Sequence, residues 1–326
     1  MRLLDLVAQC TSAAPTLPEG WGFPGAHQFA DAVRTCPLRL VLADNLIQYI
    51  VQLAYAEGER LGGCLDLIHV PAQQLWLEWL EAARQSTLSE MPACTSTPCY
   101  SVRRTGVLIA ADPTGRAGTM RTFWSTQNEQ VYSAALLTDF DLDRVMRPGL
   151  ELDSVFNGAA FGVVIPVEPA LDELLSHVCF RLDPAWANYY RAADLTESQQ
   201  LLVLHEVLGT MAFDMPMRLA LFLLFAAKDG LKRRAADLER LNRARCRSGK
   251  RALLEHIEVR APLVAGYPCP ASPAAAAANR RRGPRLHHVR GHIVRRGEKV
   301  FWRLPHLRGS ARLGVVRSRT VQLSFR

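Results

Sequence analysis

The class of fold is decided by residues 100–134, YSVRRTGVLIAADPTGRAGTMRTFWSTQNEQVYSA. Short runs of β-branched, aromatic and aliphatic residues alternate there with turn-forming residues, and the clearest turn is Asp112-Pro113-Thr114-Gly115. Because consecutive strands joined by short turns pair with their neighbours, we expect an antiparallel meander. The predicted strands lie around Tyr100–Val102, Gly106–Ile109, Met120–Trp124 and Val131–Ala134.

Residues 1–90, which precede this region, are predicted to be helical. Apolar residues at helical spacing predict one helix that starts at an Asp44 N-cap and extends to Ala54. A second helix is predicted for Ala72–Arg84, whose apolar residues fall on one stripe. That stripe contains two tryptophans that we expect to pack in the core: Trp76 and Trp79.

Helices are predicted to return after the sheet. The segment Met217–Lys228 is hydrophobic on nearly every side, so we expect it to lie at the centre of the core. A capping box at Thr196–Gln199 begins an apolar helix that ends at Leu208. The other predicted helices are Leu171–Leu182 and the basic, amphipathic Leu231–Arg245.

An acidic segment, residues 138–157, begins like a calcium-binding loop with Asp139-x-Asp141-x-Asp143. A calcium loop also needs a Gly at its sixth position and a Glu at its twelfth, and Arg144 and Leu150 occupy those positions. We therefore predict a loop or short helix here and no calcium site.

The last forty-eight residues form an intensely basic tail. Residues 279–326 contain thirteen Arg, one Lys and a single acid, so their formal charge is +13, whereas the whole chain carries +8 and residues 1–278 carry −5. A Pro/Ala-rich linker at 262–278 separates this tail from the body. We therefore predict an α+β protein with a helical N-terminal part (1–90), a sheet-and-helix core (91–261) with a central antiparallel sheet and an apolar helix pair, the linker, and a small basic β-type module (279–326).

The tail contains one four-residue phrase twice, as His288-Val289-Arg290-Gly291 and as His306-Leu307-Arg308-Gly309. Between the copies, Lys299–Leu304 alternates apolar and polar residues as a half-buried strand does. These patterns predict short strands that form a small sheet with an Arg/His face.

Arginine and aromatic side chains together indicate RNA as the ligand of the tail. The guanidinium group binds phosphate through two hydrogen bonds and stacks on bases, and an aromatic side chain in a basic strand offers a stacking surface for an unpaired base. The alternative is a solubilising arm. No recognition helix or zinc finger is apparent that would enter a DNA groove. The candidate nucleic-acid-binding residues are His288, Arg290, His292, Arg295, Arg296, Trp302, Arg303, His306 and Arg308.

The histidines of the tail raise two further hypotheses. A metal site would use His287 or His288 with His292 and His306, but the surrounding positive charge opposes a cation, and we predict no metal. A metal-independent ribonuclease would use His as acid and base and Arg to stabilise the phosphate in the transition state. Since the body contains no nucleotide-binding, hydrolase or metalloprotease motif, we predict that the protein is not an enzyme and needs no cofactor.

Cysteine usage and hydropathy predict a reduced, cytoplasmic protein without a membrane partner. None of the eight Cys forms a CxxC pair, and Asp5 interrupts the region where a signal peptide would be apolar. The longest apolar run, Leu219–Ala227, is too short to span a bilayer.

The stretch His287-His288-Val289-Arg290-Gly291-His292, followed by a strand that ends in Trp302-Arg303, resembles the C-terminal signature of a group of phage- and plasmid-borne proteins. The characterised branch of this group is a type V anti-CRISPR family, the inhibitors of biogenesis of the type V effector nuclease. The resemblance implies that the protein recognises the N-terminal segment of the nascent nuclease on the ribosome and that the nuclease mRNA is then lost. The partners it implies are that nascent peptide and, through the tail, RNA or the ribosome. A mobile-element RNA-binding regulator and the ribonuclease remain as alternatives.

Overall fold

The computed structural model describes the body at residues 1–10, 26–56, 61–89, 102–146, 150–151, 175–184, 214–227 and 231–261, and the tail at residues 285–289, 292–297, 299–303, 306–308 and 310–315. The chain divides into two compact units. The first comprises Met1–Ala226 with Leu231–Ala261, and the second comprises Ala227–Gly230 with Pro262–Arg326.

A mixed sheet of nine strands forms the frame of the first unit, with the strand order β6-β7-β5-β4-β3-β2-β1-β9-β8. Neighbouring strands from β2 to β5, and the pairs β5–β7 and β8–β9, are antiparallel, whereas β1 is parallel to both β2 and β9, and β6 is parallel to β7. The strands are β1 (Leu38–Leu42), β2 (Gln74–Leu80), β3 (Val102–Ala111), β4 (Ala117–Thr126), β5 (Val131–Asp141), β6 (Leu150–Glu151), β7 (Val178–Leu182), β8 (Lys232–Ala235) and β9 (Ile257–Arg260).

Helices cover both faces of this sheet. On one face, Trp76 and Phe123 belong to a buried apolar cluster to which α1 contributes Leu3, Leu4 and Val7. On the other face, the Thr105 hydroxyl donates to Glu81 of α4 at 2.8 Å, and Arg218 of α5 donates to the Thr122 hydroxyl at 3.1 Å. The helices are α1 (Leu3–Gln9), α2 (Ala30–Thr35), α3 (Asp44–Ala56), α4 (Glu81–Ser89), α5 (214–226) and α6 (Glu239–Arg247). None of the described helices combines the length and the apolar character needed to cross a bilayer.

The mixed α+β class and the predicted meander are confirmed, since β3, β4 and β5 pair in sequence order. The turn at Asp112 is present as expected: the Gly115 amide donates to the Asp112 carbonyl at 3.0 Å, and Gly115 has a φ of 72°. The side chain of Asp112 also accepts hydrogen bonds from two backbone amides beyond the turn, those of Arg116 and Ala117. Two predicted helices are confirmed as well, one beginning at Asp44 and one at 214–226 that is buried nearly all round.

The predicted helix Ala72–Arg84 is wrong, because residues 74–80 form the central strand β2 and α4 begins only at Glu81. Trp76 and Trp79 are completely buried as expected, but they lie on opposite faces of the sheet. A strand covered by helices on both sides is apolar on both faces, and over seven residues such a run also matches a helical stripe. For the same reason residues 1–90 are not purely helical, since they contribute β1 and β2 to the sheet.

Two other predicted helices also contain a strand in the structure. Within Leu171–Leu182, residues 178–182 form strand β7, in which Val178, Phe180 and Leu182 alternate as buried positions. Within Leu231–Arg245, residues 232–235 form the edge strand β8, and α6 begins at Glu239. The predicted helix behind Thr196 and the linker at 262–278 lie outside the described residues.

The described part of the second unit forms short strands, as the sequence pattern of the tail predicts, but they belong to two small sheets rather than one. One has the order β13-β10-β14 and the other pairs β11 with β12. The strands are β10 (Arg285–Val289), β11 (His292–Arg296), β12 (Lys299–Arg303), β13 (His306–Arg308) and β14 (Ser310–Val315).

Candidate nucleic-acid interface

The aromatic residues of the tail lie in a regular hairpin formed by β11 and β12. The strands are antiparallel, and the register pairs Arg296 with Lys299 next to the turn and His292 with Arg303 at the open end. Gly297 opens the turn with a φ of 61°, a conformation that hairpin turns require and that glycine adopts without steric cost. Turn chemistry and strand alternation therefore fix this register locally.

One face of the hairpin presents an aromatic ring among positive charges. Cross-strand partners share a face, so Phe301 lies on the same face as Arg296, Lys299 and Arg303. All four side chains are exposed, Phe301 to 37%, whereas the preceding residue Val300 is only 6% exposed. An exposed ring flanked by guanidinium and ammonium groups is an arrangement that stacks a base and binds its phosphates.

The two neighbouring aromatics therefore occupy opposite faces, as strand alternation predicts. Trp302 pairs in register with Ile293, on the face of Val300 rather than that of Phe301. Our candidate set contained Trp302 and omitted Phe301, although Phe301 is the aromatic side chain that the structure describes as exposed. The signal that identifies it is its alternation with Val300, whose burial only the folded hairpin reveals.

The two copies of the repeated phrase pair with each other. Strand β10 is antiparallel to β13, with His288 opposite Leu307 and Val289 opposite His306. The sequence repeat thus forms a two-fold-like ladder in which each copy is the partner of the other. This pairing brings together residues 17 to 21 positions apart in the chain.

The ladder separates the histidines. His306 shares a face with Val289 and therefore with His287, which pairs with Arg308, whereas His288 lies on the opposite face. By backbone register, His287, His306 and Arg308 therefore occupy positions on one face of the ladder. Among the described residues, no group of three or more His, Cys, Asp or Glu is arranged to hold a metal ion.

The candidate residues are divided between the two tail sheets. His292, Arg295, Arg296, Trp302 and Arg303 belong to the β11–β12 hairpin, and His288, His306 and Arg308 belong to the β10–β13 ladder. Arg290 lies outside the described residues. That any of them binds nucleic acid stays a prediction.

The acidic run in the body contacts arginines. Asp139 accepts a hydrogen bond from the Thr119 hydroxyl at 2.6 Å and pairs with Arg181, and Asp143 accepts from Arg116 at 2.7 Å. These carboxylates hold the ends of β4, β5 and β7 together.

A buried network of charges joins α4 and α5 to the sheet. Arg84 donates to Glu81 at 2.6 Å and approaches Asp214 at 3.1 Å, while Arg218 lies 3.6 Å from Asp214. Burial raises the pKa of Glu81, and the adjacent Arg84 guanidinium opposes that rise. Because opposite charges alternate through the network, it neutralises itself and serves to fix the two helices on the sheet.

A second basic region lies in the body, and the negative net charge of the body as a whole does not reveal it. Residues 231–251 contain nine Lys or Arg against two acids, although residues 1–278 as a whole carry −5. The sequence pattern marked part of this segment as a basic helix but assigned it no function. Local charge counted along the chain, rather than per domain, is the signal that finds it.

Comparison of the chain with protein-family models, with curated proteins and with solved structures found no match.

Proposed function

We propose that this protein is a cytoplasmic RNA-binding protein that holds single-stranded RNA on the β11–β12 hairpin of its basic tail. The observation that supports this most directly is the exposed Phe301 among exposed Arg296, Lys299 and Arg303. The ring supplies base stacking that tolerates any sequence, and the three cations supply phosphate contacts. In this proposal the protein is not an enzyme.

The test separates stacking from charge in the full-length protein. For Arg296→Gln/Lys299→Gln/Arg303→Gln, the slope of log affinity against log salt for single-stranded RNA becomes shallower by about 2, because each lost phosphate contact removes about 0.7. Phe301→Ala keeps the slope and weakens binding about 5- to 150-fold, equivalent to about 1–3 kcal/mol per stacked base.

Val145→Ala is the matched control, since Val145 is another exposed apolar side chain, 67% exposed, but lies in the body. Binding is measured by fluorescence anisotropy across a salt series, with thermal melting to verify folding. Equal slopes for the triple variant and the wild-type protein would refute the assignment of the hairpin face to phosphate.

The narrower proposal is anti-CRISPR activity: recognition of the N-terminal segment of a nascent type V effector nuclease, followed by loss of its mRNA. It is supported by the resemblance of the tail between His287 and Arg303. In cells that express such a nuclease, the message falls when the protein is co-expressed, and it recovers when the N-terminal segment of the nuclease is deleted. If the mRNA still falls after this deletion, the anti-CRISPR proposal is refuted, whereas the RNA-binding proposal is unaffected.

The ribonuclease alternative has one geometric observation in its favour, namely that His287, His306 and Arg308 share a face of the β10–β13 ladder. An acid, a base and a phosphate-binding cation on one face are the minimum for metal-independent cleavage. Incubation of the purified protein with RNA in EDTA tests it. A cleavage rate that falls about 10²- to 10⁴-fold in His306→Gln, with RNA binding retained, would replace the non-enzymatic proposal.

A further inference from the structure

The body has a basic surface of its own, carried by β8, α6 and the turn that follows α6. Its side chains are exposed, and we call them the β8–α6 surface: Lys232, Arg233, Arg234, Arg240, Arg243, Arg247, Lys250 and Arg251. Segment 231–251 contributes +7 to a body that totals −5, so the remainder of residues 1–278 carries −12. The body is therefore strongly polarised in charge rather than mildly acidic throughout.

Helix α6 does not owe its composition to packing. Four of its nine residues are Arg, and none of the nine is buried. So short a helix is marginal by itself in water, and side chains hold it instead. The Asn242 amide accepts from the Leu253 backbone N–H at 2.8 Å and donates to the Leu253 carbonyl at 3.0 Å, while Arg245 donates to the Arg251 carbonyl at 2.9 Å.

The charges on α6 affect its stability in both directions, since Glu239 in the first turn and Arg245 and Arg247 in the last turn stabilise the helix. Arg243 and Arg247 are four residues apart, a spacing at which like charges repel. Within the described part of the chain, the ion pair recorded inside segment 231–251 joins Arg243 to Glu239 at 3.2 Å on the open surface. Four arginines and one carboxylate leave this exposed helix with an excess of positive charge, which favours an anionic partner.

Protection of the sheet edge explains only part of this surface. Strand β8 is the last strand of the nine-stranded sheet, and Lys or Arg on an edge strand discourages pairing with another chain. That accounts for Lys232, Arg233 and Arg234. It does not account for α6, which is not part of the sheet.

The chemistry of the surface favours phosphate over an anionic membrane. Six of its eight cations are Arg, whose planar fork matches phosphate oxygens. A membrane-binding helix needs a wide apolar face with aromatic or aliphatic anchors. In the described body segment 231–251 the large exposed apolar side chain is Leu241 alone.

A polar cavity of about 560 Å³ adjoins α6 and extends the basic character inward. Its lining includes the arginines Arg2, Arg103, Arg104 and Arg245, together with Asp5 and Glu129. Arg245 lies on α6 and lines this cavity, so the cavity adjoins the helix that carries part of the basic surface.

We infer that the β8–α6 surface is a second RNA-binding surface that contacts the phosphodiester backbone independently of the tail hairpin. This rests on the proposed function for the identity of the ligand as RNA. The body then contributes its own phosphate contacts, and the salt dependence of binding is the sum of two sites.

The test compares two double variants of the full-length protein that remove the same charge. Arg243→Gln/Arg247→Gln alters the β8–α6 surface, and Arg34→Gln/Arg144→Gln removes two exposed arginines elsewhere on the body. Arg34 contacts Asp31 three residues away, as Arg243 contacts Glu239 four residues away. Arg34 also donates to the Ala8 carbonyl at 2.8 Å, so the melting temperature of the control is measured too. Gln retains helix propensity, and unchanged melting verifies that α6 persists.

Expected is a salt slope for single-stranded RNA that is shallower by about 1.4 in the surface variant and unchanged in the control. Ultraviolet cross-linking to RNA is expected to label peptides from 231–251 even in the hairpin triple variant. Equal salt slopes for the surface variant and the control would overturn the inference. It would also be overturned if the surface variant kept the salt slope for RNA but lost salt-dependent binding to polyglutamate, a result that would indicate an acidic protein partner.

The two proposals fail separately. A slope reduced only in the hairpin variant supports the proposed function and overturns the second surface. A slope reduced only in the surface variant supports the second surface and overturns the hairpin assignment.

Discussion

Asp5 lies in the first turn of α1 with its side chain completely buried, and its replacement by Asn is expected to stabilise the protein at neutral pH. One carboxylate oxygen accepts a hydrogen bond from the Leu254 amide at 2.8 Å, and the other has no hydrogen-bond partner among the described residues. Burial raises the pKa of Asp5 from 3.8 to about 6, the Leu254 hydrogen bond opposes that rise, and the negative charge of Glu78 adds to it.

The sign of the effect follows from proton linkage. The folded state holds the Asp5 proton up to a pH of about 6, whereas the unfolded chain releases it near 3.8. This residue therefore contributes stability below pH 3.8 and loses that contribution as the pH rises through about 6. The difference of about two pKa units corresponds to about 3 kcal/mol at neutral pH, at 1.36 kcal/mol per unit.

Asn keeps an oxygen that accepts from Leu254 and replaces the second carboxylate oxygen, which repels Glu78, by an uncharged amide group. We expect Asp5→Asn to raise the free energy of unfolding by up to about 3 kcal/mol at pH 7 and to leave it nearly unchanged at pH 4. Urea unfolding of both proteins between pH 4 and pH 7.5 measures the difference directly.

Asp31→Asn is the control, because Asp31 pairs with Arg34 on the surface and an exposed pair contributes at most about 1 kcal/mol. We expect its stability difference to show no rise between pH 4 and 7. A difference between Asp5→Asn and the wild-type protein that is flat over this range, or a loss of stability at pH 7, would show that burial of the Asp5 carboxylate does not destabilise the folded protein.

Three further outcomes are expected. Gly106→Ala would place a Cβ atom 2.5 Å from the Trp76 ring, so we expect a loss of about 1–3 kcal/mol by thermal or urea unfolding. Gly297→Ala meets no atom of the described residues within 4 Å but must adopt a positive φ, so we expect RNA affinity to weaken through a loss of about 1 kcal/mol in hairpin stability, measured by anisotropy. A chain truncated after Ala261 is expected to melt cooperatively by calorimetry, because the nine-stranded sheet lies entirely before that residue; a molten product would show that the tail belongs to the core.

Local sequence predicted the parts of the fold whose partners are near in the chain. The Asp112–Gly115 turn and the flanking strands specify one another within a few residues, so the meander was predictable from the turn chemistry and the strand propensities. The α5 helix was predictable because a segment that is apolar on all sides has to be buried. What this pattern does not predict is the completely buried Arg218, whose charge is balanced by Asp214 in the same helix.

For segments that are apolar on both faces, the local sequence pattern did not distinguish a strand from a helix. For Gln74–Leu80 the helical and extended alternatives both bury Leu75, Trp76 and Trp79, and only the pairing of the strand with β1 and β3 selects the extended form. The β1 strand pairs with β9 more than two hundred residues away. No window of the sequence contains both partners of such a pairing.

The candidate interface also combines features that the local sequence predicts with features that depend on the fold. The sequence by itself determined that the tail is basic, that it forms strands, and that Phe301 and Trp302 occupy opposite faces, because these follow from composition and the two-residue period of a strand. Only the tertiary structure decided that Phe301 is exposed while the neighbouring Val300 is buried, and that the two repeated phrases pair antiparallel and place His288 on the face opposite His306. Burial and strand pairing depend on residues distant in the chain, whereas charge and alternation are properties of each short segment.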